Sequence, residues 1–193
     1  MPHEGETNHF SRVETFMRYR ILFLSVFGTV FGILLASWLA MGQGKPHSVR
    51  ASLVGFQEVP AVSTQASGDF EAHIDSTDTQ LTYVLQYSGF TVSVIQAHIH
   101  FGTQATIGGV SIFLCGTAAA PGPPGTPECP QAAGTVTRTV TAAEVIGPGG
   151  QSIAAGEFAE ILKAIRAGAA YANVHSMTFP AGEIRGQIQE QQN

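Results

Sequence analysis

The sequence predicts an all-β fold, an antiparallel β-sandwich or Greek-key barrel of about eight strands with one inserted helix, on three observations. From residue 48 onward, short alternating or β-branched runs recur between turn residues. Charged residues make up only 12% of the chain while Gly (22) and Pro (10) are plentiful, a balance that suits a turn-rich β domain. A single segment near the C-terminus carries the 3.6-residue apolar spacing of an amphipathic helix. Outside the first forty or so residues, about 150 remain, enough to bury the core of one domain.

Residues 1–20 are polar, end in Arg18-Tyr19-Arg20 and read as a cytoplasmic N-terminus. No charge occurs from Ile21 to Gly44, and Ile21 to Met41 is almost continuously apolar. A helix of about 20 residues, rising about 1.5 Å per residue, spans a hydrocarbon core of about 30 Å. A secretory signal has a shorter apolar core of about 7–15 residues, so length favours an uncleaved anchor. Against that, Ala40-Met41-Gly42 is a tolerable small-x-small cleavage site. Residues 21–42 are therefore a transmembrane anchor, held in the membrane through residues 21–41, or a cleaved signal peptide. In both cases Arg18 and Arg20 keep the N-terminus inside and the domain is exported, tethered outside the cytoplasm or released as a secreted or periplasmic protein. The basic excess is slight, Arg12, Arg18 and Arg20 against Lys45 and Arg50, so this orientation rests mostly on export. Residues 43–47 form a linker in which His47 is solvated.

The domain proper starts at residue 48 and runs to 190. Its first strand, within Ala51 to Val59, stops at Pro60, which has no N–H for a ladder. Gly68 to Asp75 alternates, with Phe70, Ala72 and Ile74 on one side and Asp69, Glu71, His73 and Asp75 on the other, a half-buried strand whose polar side faces solvent. Leu81 to Ser88 and Val92 to Phe101 follow. Gly109 to Cys115 is apolar enough to lie centrally, with Val110, Ile112 and Leu114 as its core face. Gly134 to Thr141 alternates again, and Thr141-Ala-Ala-Glu144 has the pattern of a capping box opening one helical turn. Gly147-Pro-Gly-Gly150 is a turn, and without a following Lys-Ser/Thr it is no phosphate loop. The helix spans Glu157 to Ala167: Phe158, Ile161, Leu162 and Ile165 make its apolar stripe, acidic residues lie in its first turn, Lys163 and Arg166 in its last, and Gly168 ends it. Ala169 to His175 and Gly182 to Gln189 complete the strands.

Cys115 and Cys129 flank a Pro/Gly-rich segment that has too little apolar surface to order itself. In an exported chain such a pair forms a disulfide, the rivals being free thiols or metal-bound thiolates, though no CxxC pair is present. From residue 43 onward six basic residues (Lys45, Arg50, Arg138, Lys163, Arg166 and Arg185) stand against eleven Asp and Glu. A mildly acidic domain without a basic run has no electrostatic footprint for nucleic acid.

Three of the seven histidines, His98, His100 and His175, fall on two strands. Alternation puts His98 and His100 opposite Ala97, Ile99 and Phe101, and puts His175 with Tyr171 and Asn173 opposite Ala170, Ala172 and Val174. Glu183 and Arg185 share a face of the last strand. If these strands are neighbours, three imidazoles converge on one copper or zinc ion, with Glu183 as orienting group or fourth ligand and Arg185 and Asn173 alongside. The competing arrangement is a metal-free polar network in which Glu183 and Arg185 form an ion pair. Ring nitrogens about 3–4.5 Å apart fit ligands around one ion, whereas separations above about 8 Å leave only the network.

The blocks Leu53-Val-Gly-Phe-Gln-Glu-Val-Pro60, Ala97-His-Ile-His-Phe-Gly102, Tyr171-Ala-Asn-Val-His175 and Gly182-Glu-Ile-Arg-Gly-Gln187 together resemble the CHRD (chordin-type) domain, over about residues 48–190. The family pattern includes the His-x-His block, the later His and the Gly-Glu-Ile-Arg-Gly block, which here fall on His98, His100, His175 and Glu183 to Gly186. The family is named from an extracellular antagonist of growth factors, so the resemblance implies an extracytoplasmic binding module, while its free-standing members have largely unassigned roles. The insert between Cys115 and Cys129 departs from a plain member. A more distant similarity is to copper–zinc superoxide dismutase, which also carries His-x-His on a barrel strand, but this chain has no histidine-rich zinc loop and no bridging ligand. With no nucleophile motif either, the expectation leans away from an enzyme and toward a binding module holding a metal ion, or a metal-free module for an extracellular protein partner.

Overall fold

The structure is a computed structural model and describes residues 48–191. The segments read as cytoplasmic N-terminus, anchor or signal, and linker lie outside the described residues. Among the described residues no helix is long and apolar enough to cross a membrane.

The chain forms strands β1 (Ser48–Val54), β2 (Ser67–Ile74), β3 (Leu81–Ser88), β4 (Val94–Phe101), β5 (Gly109–Cys115) and β6 (Gly134–Val140). Helix α1 (Phe158–Arg166) and strands β7 (Ala170–Ser176), β8 (Ile184–Gln187) and β9 (Gln189–Glu190) follow. The sheet is antiparallel, in the order β5-β4-β7-β8-β1-β2-β3-β6, with β9 on β1. It is one sheet rolled nearly into a barrel, the closed alternative among the two predicted architectures. The end strand β5 is tied to the other end of the sheet by a bridge between Ile112 and Val145, in the segment after β6, and by a hydrogen bond from the Tyr83 hydroxyl of β3 to the Leu114 carbonyl.

Alternation explains most of the interior. Phe70, Ala72 and Ile74 of β2 and Leu81, Tyr83, Leu85 and Tyr87 of β3 all point inward, and Asp69, Glu71 and His73 lie on the exposed side. The two tyrosines satisfy their hydroxyls on the carbonyls of Leu114 and Pro130, as buried phenols must. Helix α1 lays Phe158, Ile161, Leu162 and Ile165 on the core, and Gly168, at φ 65°, ends it with hydrogen bonds from Gly168 N to Ile165 O and Ala169 N to Ala164 O. Arg166 in its last turn grips the carboxylate of Asp78 with two nitrogens, at 2.6 and 3.1 Å. The capping box opens a 3-10 turn: Glu144 accepts from Thr141 N at 2.7 Å, and Thr141 accepts from Ala143 N.

One strand departs from simple alternation. Two register shifts between β4 and β5 set Val110 opposite His100, Phe113 opposite His98 and Cys115 opposite Ala97. An extra residue on one strand turns the following side chains to the other face. Val110 is therefore only half-buried and not part of the core with Ile112 and Leu114, while Phe113, which alternates with those two, is set opposite His98 on the outer side.

Cys115 and Cys129 form the disulfide, with Cα atoms 5.0 Å apart. They close a loop over a sequence separation of 14, which the chain-entropy treatment values at about 3 kcal/mol. Replacing both by Ala should lower the unfolding free energy by roughly that amount in denaturant titrations. An unchanged midpoint would mean that the loop constrains nothing in the unfolded chain.

Candidate metal centre

Strands β4, β7 and β8 are covered on both faces, and every residue of β7 is buried. Inside the barrel lie Ala97, Ile99, Ala170, Ala172, Val174 and Ile184. Register pairs His98 with Asn173, His100 with Tyr171, Gln96 with His175, and Asn173 with Arg185, so the predicted polar residues share the outer face. That face is not solvated. Three loops lie across it, 55–66, 102–108 and 177–183, and they leave His98 2%, His100 7% and His175 5% exposed.

The three imidazoles converge. His98 Nδ1 lies 3.1 Å from His175 Nε2, and one ligand nitrogen from each ring can be chosen so that all lie within 4.8 Å of one another. Two ligands at about 2.1 Å from a tetrahedral ion lie about 3.4 Å apart, so the widest pair must close by up to about 1.4 Å, a movement that side-chain rotation has to supply. Three histidines are close enough to hold a metal ion.

Hydrogen bonding assigns the lone pairs. A carbonyl only accepts, so His100 Nδ1 donates to Gly108 O at 2.9 Å and His175 Nδ1 donates to Pro180 O at 3.1 Å. Both Nε2 atoms then carry lone pairs. Without an ion, the His98 Nδ1 proton goes to His175 Nε2, and the Nε2 atoms of His98 and His100 stay buried with no partner. Each such orphan costs about 1–3 kcal/mol. A metal-bound histidine commonly donates its other N–H to a backbone carbonyl, which is the state of His100 and His175, so the donor set fits a transition-metal ion. Burial, with His175 and His100 adding to it, pushes His98 down to about 2, and burial pushes His175 down to about 4 and lowers His100 as well. All three rings are neutral near pH 7, the form that ligates metal.

Around them the predicted supporting residues take different roles. Arg185 spreads over the Tyr171 ring, its Cζ 3.6 Å from the centroid, and donates to the carbonyls of Thr106 and Thr103. Tyr171 in turn stacks on His100, with centroids 4.8 Å apart and planes 4° from parallel, and its hydroxyl accepts from Gly108 N–H. Glu183 accepts from Thr64 at 2.6 Å and from Ser176, so its carboxylate binds hydroxyls rather than Arg185 or an imidazole. Asn173 donates to Glu58 Oε1 at 2.6 Å and to Ile184 O at 2.8 Å. Glu58 is a buried member that periodicity does not find, because a lone acid in a loop has no pattern. Burial raises its pKa, against the lowering pull of Asn173 and Arg185. Sequence signals for it are limited to its place in the block that ends at Pro60.

The CHRD domain matches residues 49–188, nearly all of the described chain. The chain belongs to the CHRD domain family. The matched span of this CHRD domain contains the three histidines, Tyr171, Asn173, Arg185 and both buried carboxylates, and also the disulfide loop. No curated relative and no solved structure matches the chain. CHRD membership points to an extracellular binding module, and the disulfide fits an oxidising compartment.

Proposed function

We propose that this CHRD domain is an extracytoplasmic binding module that holds one copper or zinc ion through His98, His100 and His175, tethered to a membrane through residues 21–41 unless that segment is cut. The observation that carries the proposal is the pair of buried, partnerless Nε2 atoms beside a third imidazole whose Nε2 lies 3.1 Å from His98. Nitrogen-only donors suit either metal. When bound, the ion supplies a Lewis-acidic charge in a covered site, and the residues of this chain orient the three rings, stack on them and shield them from water. Metal analysis of the purified protein against a variant lacking the three histidines tests it.

A metal-free module for an extracellular protein partner is the second reading, and the hydrogen bond between His98 and His175 favours it, since that bond uses one lone pair without an ion. A partner that stays bound to the protein after the three histidines are replaced, and is lost when residues 116–128 are shortened, would support it. A dismutase-type enzyme has in its support only the His-x-His pair and the disulfide. Superoxide turnover no faster than that of free copper ions would remove it.

A further inference from the structure

Two of the three rings are oriented by hydrogen bonds to carbonyls, His100 by Gly108 and His175 by Pro180. His98 has no such bond: its Nδ1 meets only His175, and its Nε2 meets nothing. Beyond that bond its orientation rests on packing, and the ring packed nearest to it is Phe113. The register shifts in β5 set Phe113 opposite His98, with ring centroids 4.3 Å apart and planes at 85°.

Phe113 also meets the disulfide-closed loop. A Cβ placed on Gly122 would come within 2.4 Å of Thr126 Oγ1 in the same loop and 2.8 Å of Phe113 Cδ1, so the loop backbone lies close against both, and a residue without a side chain is what allows it. The loop is held in turn by the Cys115–Cys129 bond, by hydrogen bonds between Gly116 N and Pro127 O and between Cys129 N and Gly116 O, and by the Thr117 hydroxyl on Ile95 O of β4.

We infer that the Cys115–Cys129 loop is a wall of the metal centre and that Phe113 is the positioning residue through which it orients His98. The inference rests on the metal reading and deepens it: the Pro/Gly loop is part of the site. Groups that orient a metal-bound histidine are typically worth roughly 10- to 100-fold in metal affinity.

The test compares the full chain with Phe113→Leu, Gly122→Val and a control, Gly149→Ala, whose added Cβ meets nothing within 4 Å. Zinc affinity is measured by chelator competition, and the ring signals of His98, His100 and His175 by NMR on metal-free protein. Zinc binding should weaken roughly 10-fold or more in Phe113→Leu and Gly122→Val and stay within twofold of the parent in the control. In the metal-free variants the His98 ring signals should move while those of His100 move less. Unchanged zinc affinity together with unmoved His98 signals would overturn the inference. Should Gly122→Val not fold, Phe113→Leu, which keeps an apolar side chain at that site, decides alone. If the parent takes up neither zinc nor copper, the metal reading falls, and the metal-free NMR comparison in Gly122→Val, which keeps the Phe113 ring, decides the wall: a shift confined to His98 supports it and no shift overturns it.

Discussion

Replacing His98, His100 and His175 together by Ala is expected to reduce bound copper or zinc from about one equivalent per chain to none. The three rings supply every nitrogen ligand of the cluster, and the nearby carboxylate of Glu183 is occupied by Thr64 and Ser176, so no substitute ligand is in place. The effect should also be visible in stability. An ion at 100 times its dissociation constant stabilises the folded state by about 2.7 kcal/mol, so zinc or copper should raise the midpoint of the parent protein and leave that of the triple variant unmoved. Circular dichroism on both proteins separates loss of the site from loss of the fold. Equal metal content in the two folded proteins would remove the site.

Acid is expected to unfold the metal-free domain over a window set by the same rings. In the folded state burial holds His98 and His175 near about 2 and about 4, and holds His100 below its ordinary value. In the unfolded chain all three titrate near about 6.5. The unfolded state therefore binds more protons below about pH 6.5, and stability that is full above that value falls as pH drops toward the folded values. Once its unfolded ring is charged, each of His98 and His175 contributes about 1.4 kcal/mol per pH unit, and His100 adds in the same direction. Glu58 works the other way, because its carboxyl is raised by burial: it gains a proton in the folded state first and offsets up to one of the three in the range between about 4.5 and its raised value. Between about pH 6.5 and 5 His98 and His175 together lose about 3 kcal/mol, His100 adds to that loss and Glu58 offsets part of it, a large share of the stability of an ordinary domain. Denaturant titrations of metal-free protein at pH 7.5, 6 and 5 measure this, and the triple variant should show a much flatter profile. A parent protein equally stable at pH 7.5 and pH 5 would show that the rings are not held neutral by burial.

Both effects come from a feature that alternation alone does not display. The strands were legible because one face of each meets a core: Phe70, Ala72 and Ile74, or Leu81, Tyr83, Leu85 and Tyr87, alternate with residues that face water. Helix α1 was legible from its apolar stripe and its C-terminal glycine, the 3-10 turn from Thr141 and Glu144, and the disulfide from two cysteines flanking a segment with no core of its own. Histidine convergence was also accessible, because His98 and His100 share one side of a strand and His175 shares the matching side of its neighbour. The register shifts in β5 were not. A bulge leaves no composition signal, and its result, Val110 leaving the core and Phe113 falling opposite His98, follows from pairing with β4.

What the amino-acid sequence determined by itself is local and periodic: which residues prefer strand or helix, which side of each strand is apolar, where the chain turns, and which two thiols pair. Only the tertiary structure decided what covers the polar side of β4, β7 and β8. A row of polar side chains reads the same whether water or loops lie over it, because period-2 alternation reports only the two sides of a strand. Here three loops cover it, and the physical consequence is a set of neutral, dehydrated imidazoles with two unpaired nitrogens. Burial also converted Glu183 and Arg185 from an expected ion pair into separate partners of hydroxyls, loop carbonyls and the Tyr171 ring, since each group found its hydrogen bonds in whatever loop lay above it.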